Sequence, residues 1–304
     1  MKKTFRYLFS KAFCVASEVA CGNTLYRLGG SKGVKFKNKI KYCADDNLYF
    51  NVCRPETENA DKLPVFLYIH GGGFVSGAPD FRRAIMSNIA AAGYFVVGVF
   101  YGLAPKYIFP NPVENIYKAL AFLKRNAAEY NIDIGRIFLG GESAGATLAV
   151  TLGAISSNNE YKEFFDLSTE SKDLTFKAVV SICGLFDMTS SMDSGYPYIR
   201  EYICAYADKT VEEVVDGADS AYMSPIRFIN KGFPPTFVIT GERCAFTPES
   251  ERLIARLDEC GVKNARYHGT GAESVHAYSV GQLLPIAKQS VVEMLKFIGE
   301  FKDV

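Results

Sequence analysis

The hydrophobic positions of the chain fall into short apolar runs separated by longer stretches of helical spacing. Continuous runs at 65–69, 94–100, 136–140, 177–183 and 236–240 read as buried strands, with an early strand at 48–52 and a short one near 265–267. Helices are predicted near 80–92, at 113–130, after residue 143, at 249–260 and at 284–301. Alternation of this kind predicts an α/β fold with a mostly parallel central sheet and helices on both faces. Ligands of such sheets bind beyond the carboxyl ends of the strands.

Two departures interrupt the alternation. Phe5, Leu8, Phe9, Ala12, Phe13, Ala16 and Val19 recur at helical spacing, so the N-terminus reads as an amphipathic helix that covers a site or lies on a membrane surface, the cover being favoured. Arg6, Lys11 and Glu18 interrupt the apolar stretch a signal peptide needs, and no segment is long enough to span a bilayer. The segment at about 186–233 exceeds an ordinary crossover and carries Tyr196, Tyr198, Tyr202, Tyr206 and Tyr222, with Ile199 and Ile203 at helical spacing. The expected organisation is an N-terminal helical cap segment over 1–45 and the α/β domain over 46–304, with a cap insertion at about 186–233.

Composition narrows the function classes. The 304 residues are 48% hydrophobic and 22% charged, enough for one α/β domain with a modest cap. Thirty-four basic against thirty-three acidic side chains leave a formal charge of +1, which gives no support to nucleic-acid binding and suits a small neutral substrate. Eight cysteines are scattered without CxxC spacing, so reduced thiols and a cytoplasmic location are expected. No metal and no organic cofactor is implied.

The chemistry concentrates in His70-Gly71-Gly72-Gly73 and Gly141-Glu142-Ser143-Ala144-Gly145, each placed directly after a predicted strand. A serine at a tight strand-to-helix turn projects its hydroxyl out of the sheet, and small neighbours let the backbone close. The helix N-terminus that follows favours developing negative charge. The N–H groups of Gly72, Gly73 and Ala144 are the candidate oxyanion donors, and removal of one such donor typically costs about 10²–10³ in turnover.

Together these segments resemble the hormone-sensitive-lipase-like branch of the α/β-hydrolase family. Phe74-Val75-Ser76-Gly77-Ala78-Pro79-Asp80 and Tyr101-Gly102-Leu103-Ala104-Pro105-Lys106-Tyr107-Ile108-Phe109-Pro110 are similar to that family's extended oxyanion loop and its YRLAPE-type segment, and the likeness runs from about 50 to 300. The resemblance implies a serine carboxylesterase acting on short to medium acyl esters, with Ser143 as nucleophile and His276 as catalytic histidine. Of the three histidines, His70 belongs to the oxyanion loop, His268 ends a predicted strand, and His276 precedes the final helix, in the chain order this fold uses.

The chain departs from the family at the triad acid. Where the family carries aspartate in a TAEYDPLRDE-like segment, the sequence Thr240-Gly241-Glu242-Arg243-Cys244 places a cysteine. A neutral thiol is a poor substitute for the carboxylate that holds the imidazole in its tautomer, so weakened activity is expected. Glu242, two residues earlier, and Asp187, after the preceding strand, are the candidate substitute acids. Thr247-Pro248-Glu249 reads instead as a helix start, with Thr247 as N-cap, Pro248 at the first position and Glu249 favouring the dipole. Phe100, Gly102 and Ala146 also depart from the family pattern and are expected to alter packing rather than chemistry. The alternative is a non-hydrolytic small-molecule-binding protein on the same scaffold, as in the gibberellin receptors this branch resembles.

Overall fold

The computed structural model describes residues 8, 11–16, 19–20, 26–56 and 61–303, apart from the side chain of Asp219. An eight-stranded sheet forms its centre: β1 (Val34–Lys41), β2 (Tyr49–Pro55), β3 (Leu63–Ile69), β4 (Phe95–Phe100), β5 (Ile132–Glu142), β6 (Ala178–Ile182), β7 (Thr236–Gly241) and β8 (Asn264–Gly269). Its spatial order is β1-β2-β4-β3-β5-β6-β7-β8. The β1–β2 and β2–β4 pairs are antiparallel and every other pair is parallel.

Burial follows from position in this order. Every residue of β3 is buried, as is every residue of β6 and β7, because helices cover both faces of the central strands. The helices Arg83–Ala91, Asn111–Arg125, Ala144–Ser157, Thr247–Glu259 and Pro285–Gly299 supply that cover. The helix Ala144–Ser157 is buried from Ala144 through Ile155, so its apolar composition reflects immersion rather than a one-sided stripe.

The edge strand β1 is not anticipated by continuous apolar runs. Only Val34, Phe36 and Ile40 of its eight residues are apolar, its lysines face solvent, and a register shift between Lys37 and Ile40 breaks the period-two pattern. Lys39 takes φ +54° at that shift, and its N–H donates to Asn51 Oδ1 at 2.8 Å.

Residues 11–16 and 19–20 are helical, whereas Phe5 and Phe9 of the predicted apolar stripe lie outside the described residues. Leu8 and Val19 of that stripe are exposed, while Phe13 of the stripe and the flanking Lys11 and Cys14 contact the body. Lys11 Nζ donates to the Ala104 carbonyl at 3.0 Å, and Cys14 Sγ lies 3.0 Å from Ser76 Oγ. Phe13 packs its ring 5.7 Å from that of Tyr198. The segment after β6 forms the short helices Met188–Ser191, Ile199–Ala207 and Val211–Asp216, of which Ile199, Tyr202, Ile203 and Tyr206 turn inward. Among the described residues no helix is long and apolar enough to cross a membrane.

Candidate active site

Ser143 stands between β5 and the helix Ala144–Ser157 with φ +56° and ψ −123°, a conformation that side-chain-bearing residues rarely adopt. Two constraints hold it there. The Ser143 N–H donates to the Ile182 carbonyl at 2.8 Å, and its carbonyl accepts the Thr147 N–H at 3.1 Å. The turn also presses on the end of β3: a Cβ on Gly145 would sit 2.0 Å from the Ile69 carbonyl oxygen, and one on Gly141 would sit 2.4 Å from it. These contacts are why the flanking positions are glycine.

The glycine loop after β3 curls over this turn. Gly72 at φ +116° has its carbonyl accepting the N–H groups of Val75 and Ser76. Glu142, inside the serine turn, anchors the loop from below. Its buried carboxylate accepts the Gly71 N–H, the Arg82 Nε–H and the Tyr68 hydroxyl, each at 2.6 Å. Arg82 and Glu142 are both almost fully buried, so a charge-assisted pair ties the oxyanion loop to the serine strand. Sequence reading missed this pair. The signal for Glu142 was a carboxylate in a motif otherwise made of small residues; Arg82, sixty positions away, offered none.

His70 is buried beneath the loop, stacked 4.5 Å from the Tyr101 ring, with Nδ1 2.7 Å from the Gly71 carbonyl. Burial chiefly depresses its pKa to about 3, the nearby Arg82 charge adding to that and the Gly71 carbonyl opposing it. The imidazole is therefore neutral and acts as a spacer for the loop.

His276 follows β8, and the backbone bridge between Arg243 and Val275 draws its loop to the segment after β7. Its Nδ1 lies 3.3 Å from Cys244 Sγ, with the rings of Tyr196 and Phe246 edge-on at 4.8 and 5.2 Å. Cys183, the residue after β6, takes φ +50°, and its sulfur lies within 4.8 Å of the Cys244 sulfur and of a His276 ring nitrogen. A hydrogen bond from the Cys183 thiol lowers the Cys244 pKa, as do His276 and the Phe246 N–H, while burial opposes them. The same bond raises the Cys183 pKa, burial adding to it.

Neither substitute acid reaches His276. Glu242 is exposed, and its Oε2 accepts the Gly271 N–H at 2.8 Å. Asp187 caps the helix Met188–Ser191, with Oδ1 accepting the N–H groups of Thr189 and Ser190, while Oδ2 pairs with Arg227 at 3.2 Å. Both carboxylates spend their acceptors on local loop structure instead. Glu249 does more than face a helix dipole: it is buried and accepts the N–H groups of Phe186 and Asp187, both at 3.1 Å. The N-cap of its helix is Phe246, not Thr247, because the Thr247 hydroxyl turns back to the Gly241 carbonyl at 2.6 Å. His268 occupies an exposed position of β8, away from this cluster.

Two of the family departures have a packing account. A Cβ on Gly184 would lie 2.9 Å from that of Ala146, so the methyl at 146 occupies space that glycine at 184 leaves. Gly102 takes φ +83°, and its Cα is covered by the Tyr107 ring, 2.5 Å from where a Cβ would stand.

A cavity of about 400 Å³ opens above these groups. Ser143, His276, Gly72 and Gly73 line its floor, and Phe13, Tyr196, Ile199, Tyr202 and Phe246 form apolar walls. The size falls in the range of small-molecule sites.

A strained serine at a strand-to-helix turn, a glycine loop over it and a histidine after the last strand define a hydrolase scaffold with a nucleophile elbow. A family model described as alpha/beta hydrolase fold matches residues 66–278, and the chain belongs to that family. A model of the carboxylesterase family matches residues 24–106. Among curated proteins, the esterase LipQ of Mycobacterium tuberculosis is 27% identical over 222 residues, covering 70% of this chain and 50% of its own length. An esterase of Gibberella moniliformis is 25% identical over 240 residues, covering 76% and 73%. The chain spans about half the length of the mycobacterial relatives it matches. Among solved structures, esterase B from Lactobacillus rhamnosis superposes with a TM-score of 0.86 at 21% identity, covering 98% of this chain and 95% of that one. A bacterial heroin esterase does so at 0.75 and 25%, covering 94% and 90%.

Proposed function

We propose that the protein is a serine carboxylesterase that hydrolyses short to medium acyl esters of small molecules through an acyl-enzyme. In this reading the Ser143 hydroxyl attacks the ester carbonyl and His276 Nε2 takes its proton. The amides of Gly72, Gly73 and Ala144 receive the oxyanion. His276 then returns the proton to the departing alkoxide, and water releases the acid by the reverse sequence. The observation that carries the reading is the contact between Cys244 and His276. A sulfur at Nδ1 favours the tautomer with the proton on Nδ1, which leaves Nε2 as the base. The lowered pKa of Cys244 gives that sulfur anionic character, so it accepts the hydrogen bond better than a neutral thiol does.

The apolar walls support a short or medium acyl chain in a cavity of about 400 Å³. The contacts of Lys11, Phe13 and Cys14 and the inward tyrosine face of 196–206 support a cap built from the N-terminal helical segment and 186–233 over the catalytic domain, whereas β1 (Val34–Lys41), inside the expected cap segment 1–45, is an edge strand of the central sheet. A cytoplasmic location, where the thiols stay reduced, fits the seven described cysteines, all of them free.

Hydrolysis of p-nitrophenyl acetate and butyrate tests the proposal, with fluorophosphonate labelling in parallel. Wild-type turnover with loss of both turnover and label in Ser143→Ala is the expected result. Retention of turnover in Ser143→Ala overturns it. Ligand retention without turnover or label assigns the scaffold to the binding class instead.

A further inference from the structure

The carboxyl ends of β6, β7 and β8, three neighbouring parallel strands, deliver Cys183, Cys244 and His276 to one point. The two sulfurs and one imidazole nitrogen lie within 4.8 Å of one another, and the Cys244 Sγ to His276 Nδ1 distance is 3.3 Å. We propose that this trio is a binding site for a thiophilic divalent cation of the zinc class, and that filling it switches off the serine chemistry next to it.

The geometry suits a tetrahedral ion. Bond lengths of about 2.3 Å to sulfur and about 2.0–2.1 Å to imidazole place neighbouring ligand atoms roughly 3.4–3.8 Å apart. The three ligand atoms, all within 4.8 Å of one another and one pair at 3.3 Å, stand close to those separations. Charge also balances, because two thiolates and a neutral imidazole neutralise a divalent ion without leaving net charge in a buried place. The donor set selects the ion: two sulfurs and a ring nitrogen favour zinc or cadmium over magnesium or calcium, which take oxygen ligands.

Three protein ligands leave a fourth position for water. On binding, both sulfurs coordinate as thiolates and any proton still on them passes to solvent, while the single proton of the neutral imidazole moves from Nδ1 to Nε2 as Nδ1 gives its lone pair to the cation. Nε2 then carries the proton and can no longer accept from Ser143. The site's existence does not depend on the esterase reading; its inhibitory consequence rests on it.

Cadmium is the probe, because thiolate coordination produces an ultraviolet charge-transfer band independent of activity. Titration of the reduced protein should saturate at one equivalent, and the occupied site should shield two thiols from alkylation. Cys183→Ala and His276→Ala should each weaken affinity at least 100-fold, whereas Cys260→Ala should leave it unchanged. Cys183→Ser, checked for folding by circular dichroism, replaces the alanine variant if that one unfolds. Zinc should abolish ester hydrolysis in the wild type, with recovery on adding a chelator, and the ratio of rates with and without zinc should approach one in the folded Cys183 variant. Absence of a saturable band, or equal affinity in the Cys183 and wild-type proteins, overturns the site. A band without any hydrolysis in metal-free protein leaves the site standing and overturns the esterase reading.

Discussion

Cys244 presents its sulfur 3.3 Å from Nδ1 of His276, so a thiol stands where the hydrolase scaffold expects a carboxylate to hold the imidazole. Glu242 and Asp187, the nearby carboxylates, are turned to Gly271 and Arg227, and the sulfur is the polar group that faces this nitrogen. The tautomer of His276 therefore depends on Cys244.

Cys244→Asp should raise kcat for p-nitrophenyl butyrate by about tenfold or more. The full value of a triad carboxylate, about 10⁴ in the serine-protease example, is the upper bound. Cys244→Ala should lower kcat below the wild type, because it removes the sulfur contact that orients Nδ1. Equal rates in Cys244→Ala and wild type would show that the sulfur does nothing for the imidazole. Rates are to be read alongside Tm, since the new carboxylate is buried beside Cys183.

Glu142→Gln should cost stability and oxyanion binding together. The substitution leaves the buried Arg82 guanidinium facing a neutral amide, and breaking one side of a buried ion pair typically costs about 3–5 kcal/mol. The amide oxygen can still accept the Gly71 N–H, but without the charge that strengthens this bond, so the anchor on the glycine loop weakens. Urea denaturation should show the stability loss, and kcat under folding conditions should fall as well. Unchanged kcat in a destabilised variant would confine Glu142 to a structural role.

The parts of this molecule that are legible in sequence are those fixed by local constraint. The all-buried strands β3 and β7 appear as continuous apolar runs, and the serine turn appears as small residues forced by the Ile69 carbonyl. Elements defined by distant partners are not legible. The lysine-rich β1 exists because β2 offers it an edge, and its own pattern is broken at Lys39. The Glu142–Arg82 pair joins two otherwise unrelated segments, and the Cys183–Cys244–His276 trio has no characteristic spacing because three separate strand ends assemble it. The departure at Cys244 was readable; the fate of the substitute acids was not, because loop amides and Arg227 compete for them.

Gly72→Ala should damage turnover more than folding. At φ +116° a methyl group would stand 2.3 Å from the Ser76 carbonyl oxygen, so the loop must shift. Displacement of one oxyanion donor predicts a fall in kcat of about 10²–10³. The loop is confined to the cavity floor, so Tm should drop by only a few degrees. A wild-type kcat in the variant would remove the Gly72 amide from the oxyanion site.

His70 makes stability depend on pH in a defined window. Burial holds its pKa near 3 against an ordinary value of 6.5. Between those values the unfolded chain carries a proton on this imidazole that the folded chain refuses. Stability therefore falls as pH drops from about 6.5 toward 3, by up to about 1.4 kcal/mol per pH unit from this group, and above 6.5 the group contributes no slope. His70→Phe keeps an aromatic ring for Tyr101 and Phe100 to stack against and cannot titrate. Its unfolding free energy, measured in urea at pH 5, 6 and 7, should vary less steeply than the wild type's by close to one proton at pH 5. Parallel pH profiles for the two proteins would mean that His70 is protonated in the folded state and that the oxyanion loop tolerates the charge.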